Sequence, residues 1–175
     1  MQEPPLTAAI NVRAPGYLAA VARCACWHCG RDTPVVGIAL TPAHETWIDD
    51  APVSGAARAA GVWQAAAAGA WIFYVEYLPL GVRRRLQALS PLYRYAYNRA
   101  TDGAYWLNLC AHCGSAQDDD HLHGEPGAGF MPTSAQAAAR IELIAVNERF
   151  AAWAGGYSYD PPLFDAMRAA RPGPP

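Results

Sequence analysis

Cys26-Trp-His-Cys29-Gly30 recurs as Cys110-Ala-His-Cys113-Gly114, and this pair of stretches decides how the chain of 175 residues is read. A Cys-x-x-Cys turn places two thiolates within reach of one ion and aims backbone N–H groups at the sulfurs. Glycine after the second cysteine lets the chain leave the turn through positive φ. Two such knuckles supply the four soft ligands of a closed tetrahedral site, so Cys26, Cys29, Cys110 and Cys113 read as ligands of one structural zinc ion. The alternatives are four ordinary buried cysteines, a pair of disulfides, or a redox Cys-x-x-Cys, which lacks a thioredoxin-like βαβ surround here. About 80 residues separate the knuckles, beyond the spacing of a compact ribbon, so the segment between them reads as an insertion carrying much of the core. Tying Cys29 to Cys110 through zinc closes that long loop and is expected to stabilise the fold by several kcal/mol. Cys24, on the same side of an extended strand as Cys26, reads as a small buried hydrophobe, with ligand competition as the alternative. His28 and His112 hold the third position of each knuckle, where a side chain is expected to face solvent.

Outward from the knuckles, residues 21–26 and 35–40 form a predicted hairpin around the Gly/Asp/Pro break at 30–34, with the first cysteine pair at its tip. Residues 71–78, almost wholly aromatic and β-branched and ended by Pro79, predict a central strand. Residues 81–89 predict a short helix with Val82, Leu86 and Leu89 on one face, ended by Pro91. Runs at 92–98 and 105–109 flank Asp102-Gly103, a strong hairpin signal, and the second cysteine pair follows directly. Residues 41–61 and 115–132 read as loops, with Ser54 able to cap a short turn in the first and Phe130 expected to plug into the core. Ile141, Leu143 and Ala145 alternating with Glu142 predict a strand over 139–146, and 162–171 a terminal helix. The expected fold is α+β: a mainly antiparallel sheet with a split zinc-ribbon clasp and a few short helices. One domain spans 1–175, with a loosely ordered lead-in at 1–16, knuckle hairpins at 17–40 and 105–114, the insertion at 41–104 and a tail at 172–175.

Just over half of the chain is apolar, with six Trp and nine Tyr, which suits a packed, sheet-rich protein. All thirteen basic residues are Arg, and Ala, Gly and Pro abound, as in a GC-rich bacterial genome. A net charge of −2 supplies no global field toward nucleic acid or an anionic membrane. The start lacks the basic and apolar regions of a secretory signal, and the apolar run at 65–80 is too short to span a bilayer and contains Glu76. The expectation is a cytoplasmic protein without membrane association, in whose reducing surroundings paired cysteines hold metal.

Two further segments carry chemistry. Asp118-Asp-Asp-His-Leu-His-Gly-Glu125 packs donors of a second metal site or an acid/base centre into eight residues, with Asp119, Asp120, His121, His123 and Glu125 as candidates; a strand there would put His121 and His123 on one face. Its His-x-Glu lies downstream of the cysteine pair, the reverse of the zinc deaminases, which excludes that chemistry. Arg83, Arg84 and Arg85, with Arg94, Arg99 and the nearby tyrosines Tyr93, Tyr95, Tyr97 and Tyr105, form a candidate basic aromatic face for a partner or nucleic acid, against the simpler reading of a solvated helix face. No phosphate loop, nucleophile elbow or His-Glu-x-x-His helix is present.

Asn108-Leu-Cys-Ala-His-Cys-Gly-Ser-Ala-Gln117, followed by the Gly-Glu-Pro-Gly before Phe130, resembles uncharacterised bacterial proteins that carry a split zinc ribbon. Their first knuckle resembles Cys26-Trp-His-Cys29-Gly30, followed by a Val-rich strand as at Val35-Val36. The resemblance covers roughly a third of the chain and implies zinc and a β-rich fold; it implies no reaction, so nothing catalytic passes to His121, His123 or Glu125. The leading expectation is a zinc-stabilised binding protein with a macromolecular, most simply protein, partner, as an adaptor, inhibitor or immunity-type component. A metal-dependent enzyme built on 118–125 and a nucleic-acid-binding ribbon using Arg83 to Arg85 are the alternatives.

Overall fold

The computed structural model describes residues 10–48 and 61–169. Its elements, in order, are β1 (Val12–Ala14), β2 (Tyr17–Ala25), β3 (Asp32–Leu40), β4 (Glu45–Ile48), β5 (Val62–Ala65), β6 (Ala70–Tyr77), α1 (Leu80–Leu89), β7 (Tyr93–Asn98), β8 (Gly103–Leu109), β9 (Ala116–Gln117), α2 (Asp119–Gly124), α3 (Ala135–Ala138), β10 (Glu142–Val146), β11 (Phe150–Tyr159), a 3-10 turn (Phe164–Ala166) and β12 (Arg168–Ala169). Strands dominate and pair antiparallel, β12 with β10 excepted, in the order β12-β10-β2-β3-β6-β11-β1-β4-β5; β8 branches off β6 and carries β7 and β9.

The middle strands β2, β3 and β6 are covered on both faces, which explains runs such as Val35-Val-Gly-Ile-Ala-Leu40 without polar alternation. Successive residues point to opposite sides of a strand. Tyr17, Ala19, Val36, Ile38 and Ile72 therefore meet Val82 and Leu86 of α1 and Trp106 of β8 on one face. Ala20, Ala22, Val35, Ala39 and Trp71 meet Leu122, Phe130, Ala138 and Met167 on the other. Phe130 is the plug expected of it, lying so close over Gly37 that a Cβ there would come within 2.9 Å of its ring.

Several expectations need correction. The lead-in over 1–16 is in part a strand, since β1 buries Val12 between β11 and β4. The loop over 41–61 contains β4, paired with β5; Ser54, residues 1–9 and the tail at 172–175 lie outside the described residues. Leu89 closes α1 exposed, because the helix ends before its face returns to the core. Residues 115–132 are not a loop: β9 and α2 form there, with Asp118 as N-cap accepting from the Asp120 N–H and buried Leu122 anchoring the helix. The strand near 139–146 begins at Glu142, and Ala145 is exposed where alternation would bury it. The terminal helix over 162–171 is absent from its described part: Leu163 adopts φ 59°, a short 3-10 turn follows, and Arg168–Ala169 pair with the edge of β10 instead. The core is shared between the segment at 41–104 and flanking strands, since Phe150, Ala152 and Ala154 of β11 pack with Ile72 and Val75. No helix among the described residues is long and apolar enough to cross a membrane.

Candidate metal centre

The two knuckles are the same structure built twice. Ala25 pairs with Asp32 across the first and Leu109 with Ala116 across the second, so each is a hairpin tip; the short strand β9, unforeseen from sequence, completes the second. The Cys26 N–H donates to Arg31 O at 2.9 Å and the Gly30 N–H to Cys26 O at 2.8 Å. The Cys110 N–H donates to Ser115 O at 2.9 Å and the Gly114 N–H to Cys110 O at 3.0 Å. Gly30 and Gly114 lie at φ 70° and 72° in open space, so backbone conformation rather than room selects glycine at both.

All four knuckle sulfurs lie within 4.8 Å of one another. Cys26 Sγ is 3.7 Å from Cys113 Sγ and Cys29 Sγ is 3.8 Å from Cys110 Sγ. A tetrahedral ion with metal–sulfur bonds of about 2.3 Å requires sulfur–sulfur separations of about 3.8 Å. A disulfide requires about 2.0 Å, so these contacts are not disulfide bonds. Cys26 and Cys110 are buried, Cys29 is half-buried and Cys113 exposed. Cys24 does not join the group; it packs with Val35, Leu122 and Phe130, and burial first, with Asp32, Cys26 and Cys110 adding to it, pushes its thiol up to about 11.

Polar contacts hold the knuckles against each other. Trp27 Nε1–H donates to Ala116 O at 2.6 Å, and His112 Nε2 lies 2.9 Å from Asp32 O. His112 is exposed, as expected at this position, and from the surface it also bridges the two knuckles. The Ala111 N–H donates to Thr33 Oγ1 at 3.0 Å. Asn108, fully inside, acts as a substitute strand: its amide accepts from the Val36 N–H and donates to Val36 O, both at 2.9 Å, bridging β3 and β8. Buried Gln117 donates to Cys26 Sγ at 3.3 Å, and the His112 N–H to Cys110 Sγ at 3.4 Å. Sequence reasoning did not single out Asn108, Gln117 or Thr33; the signal was an amide on each side of the second knuckle in an otherwise apolar context.

Donation into the sulfurs favours thiolate at some positions at the expense of others. Ser115, through its hydroxyl and its backbone N–H, draws Cys113 down to about 5. At Cys29 the Arg31 N–H works in the same direction, but burial and the neighbouring sulfurs outweigh it and the thiol rises to about 11. Four thiols this close cannot all ionise unless a cation shares their charge.

The segment 118–125 behaves differently. On α2 the candidates scatter: Asp120 is exposed, and His121 Nδ1 sits 2.8 Å from Glu125 Oε2 as a surface pair. His123 points the other way, stacked on Phe130 and Phe73 with ring centroids 4.9 and 5.4 Å away and tilted against Trp71. Burial drives its imidazole down to about 3, and Nδ1 has no hydrogen-bond partner among the described residues. The strand that would align His121 with His123 is thus corrected to a helix that separates them, and among the described residues the four cysteines are the only metal-type group that converges. Asp119 turns inward, its carboxylate accepting from the Tyr74 N–H at 2.7 Å. Burial, opposed by that bond and reinforced by Asp118 and Asp120, raises it to about 7.

The arginine face is also divided. Arg83 lies over the Trp106 ring at 5.9 Å, Arg85 pairs with Glu148 at 3.3 Å, and Arg84 is exposed. Tyr93 and Tyr105 belong to the buried interior rather than to a basic surface. Compared with known proteins, the chain matches no protein-family model, no curated protein and no solved structure.

Proposed function

We propose that the protein binds one zinc ion through Cys26, Cys29, Cys110 and Cys113 in a structural site of the split-ribbon kind, and that it works in the cytoplasm by binding a macromolecular partner. The sulfur–sulfur separations of 3.7 and 3.8 Å carry the zinc reading, because an all-thiolate tetrahedron with hydrogen-bonded sulfurs is the donor set of a closed zinc site. Bound there, zinc would supply charge neutralisation and a crosslink between the β2–β3 and β8–β9 hairpins. The metal content of purified full-length protein, measured by mass spectrometry, tests this: about one zinc per chain is expected, falling towards zero in Cys26→Ser and Cys110→Ser. A folded Cys26→Ser or Cys110→Ser variant with unchanged zinc would remove the claim.

A protein partner is favoured by exposed apolar side chains, Leu80 and Leu89 on α1 and Trp27 at the first knuckle. The dispersal of 118–125 withdraws support from a metal-dependent enzyme at that segment, and the engagement of Arg83 and Arg85 withdraws it from a nucleic-acid interface. Salt-dependent retention on DNA or RNA, weakened in Arg84→Ala, would reverse the second judgement. Affinity capture of one protein from source cells by the wild type, lost in a folded Leu80→Ser/Leu89→Ser variant, is the result expected of a partner surface on α1.

A further inference from the structure

β6 breaks its own regularity twice within three residues. Tyr74 sits in mid-strand at φ 52°, a conformation that side-chain-bearing residues rarely adopt. Two residues on, the register against β11 slips: Trp153 faces Tyr77 and Ala154 faces Val75, leaving Glu76 as the extra residue of a bulge. The distortion is built in rather than incidental. Asp119 accepts the Tyr74 N–H that the ladder leaves over, and Gly155 makes room, since a Cβ there would lie 2.9 Å from Tyr74 Cβ. On the other side, β6 pairs with β8 only at Val75 and Trp106 among the described residues, and the two strands part beyond that bridge.

The parting leaves an open cavity of about 340 Å³, lined by Tyr74, Glu76, Thr101, Gly103, Ala104 and Tyr105. Tyr74 and Tyr105 meet edge to face, centroids 5.1 Å apart at 87°, as two walls of a corner. Both phenols are fixed from behind: Tyr74 donates to Asp118 Oδ1 at 3.2 Å, and Tyr105 accepts from Asn98 Nδ2 at 2.8 Å, while Asn98 also donates to Asp118 Oδ2 at 2.7 Å. Among the described residues, Glu76 is exposed at the rim with no ion-pair partner and no basic side chain lines the cavity. Burial first, then Asp120 and Asp118, raise the Tyr74 phenol.

The half-buried Tyr74 ring, with buried Tyr105 packed against it, a carboxylate at the mouth and Asp118 and Asp120 behind together suit a positively charged organic group. We propose that the opening between β6 and β8 is a binding site for an organic ammonium group, held against the Tyr74 ring with Glu76 as its counter-ion. The ammonium can belong to a free amine or to a lysine side chain presented by a protein.

The test is an amide chemical-shift titration of isotope-labelled full-length protein with choline, with its neutral isostere 3,3-dimethylbutan-1-ol, and with short peptides containing lysine or acetyl-lysine. Choline or the lysine peptide should shift Tyr74, Glu76, Ala104 and Tyr105, and the isostere and acetyl-lysine peptide should not. Response to choline assigns the site to free amines as well; response to the lysine peptide alone assigns it to a presented side chain. Glu76→Gln, a surface change that leaves the fold intact, should weaken binding about tenfold, and Tyr74→Leu should abolish it. Equal shifts from the isostere, no shift at these residues from either cation, or unchanged affinity in Glu76→Gln would overturn the proposal.

Discussion

The two knuckles and the segment just after the second are both rich in metal-type donors, thiols in the first and carboxylates and imidazoles in the second, yet only the knuckles bring theirs together. Each Cys-x-x-Cys turn folds two sulfurs to one side, and hairpin strands then carry the two turns into register, from Cys26 to Cys113 at 3.7 Å. Residues 118–125 are denser in ligating side chains, but a helix turns successive residues by about 100°, which sends His121 to the surface and His123 into the aromatic interior. Backbone geometry, not donor count, decides which cluster is a site.

The contrast can be broken most sharply at the cysteines. Cys26→Ser and Cys110→Ser each remove a buried cysteine of the candidate site and are expected to destabilise the fold by several kcal/mol, seen as lost zinc and a collapsed unfolding transition. Chelation of the wild type should give the same spectrum. Next in size is Asn108→Ala, which takes both partners from the Val36 peptide inside the protein; about 3 kcal/mol is expected by denaturant unfolding, with zinc stoichiometry unchanged.

Asp119 offers a pH signature. Its folded pKa of about 7 stands above the ordinary 3.8, so the folded state holds the proton more tightly. That contribution to stability is full below about pH 4 and is lost as pH rises towards and past 7. Asp119→Asn, which still accepts from Tyr74, should therefore gain about 1–3 kcal/mol on the wild type between pH 5 and pH 8, measured as the difference of two unfolding curves.

The smallest effects belong to the histidines. His123→Phe replaces an imidazole whose buried nitrogen has no partner among the described residues by a ring suited to its aromatic box, and a change within about 1 kcal/mol, neutral or stabilising, is expected. His121→Ala should cost about 0.5 kcal/mol or less for the exposed pair with Glu125. Loss of zinc in either variant would erase the contrast between the two regions.

Much of the fold was legible where local preference and tertiary demand agree. The 21–26 and 35–40 hairpin, the strand at 71–78, the α1 helix and the Asp102-Gly103 hairpin all declare themselves through β-branched runs, periodicity or turn residues. β11 did not, although it is the longest strand, because Phe150-Ala-Ala-Trp-Ala-Gly-Gly-Tyr-Ser-Tyr159 is rich in residues with little strand preference. Those glycines answer to packing: a Cβ at Gly156 would lie 2.2 Å from the Phe73 ring. α2 was hidden for the opposite reason, since Asp, His and Gly are poor helix formers and the helix depends on its Asp118 cap and on burial of Leu122. Of the candidate metal site, the four cysteines that converge were legible and their supports were not. A buried amide such as Asn108 shows its purpose only when a strand 72 residues away is laid beside it.

The most direct test of the account is native mass spectrometry of the full-length chain alongside a His121→Ala/His123→Ala double variant. One zinc per chain is expected in both proteins. A wild type without zinc, or a second metal equivalent that disappears from the double variant while it remains folded, would contradict it.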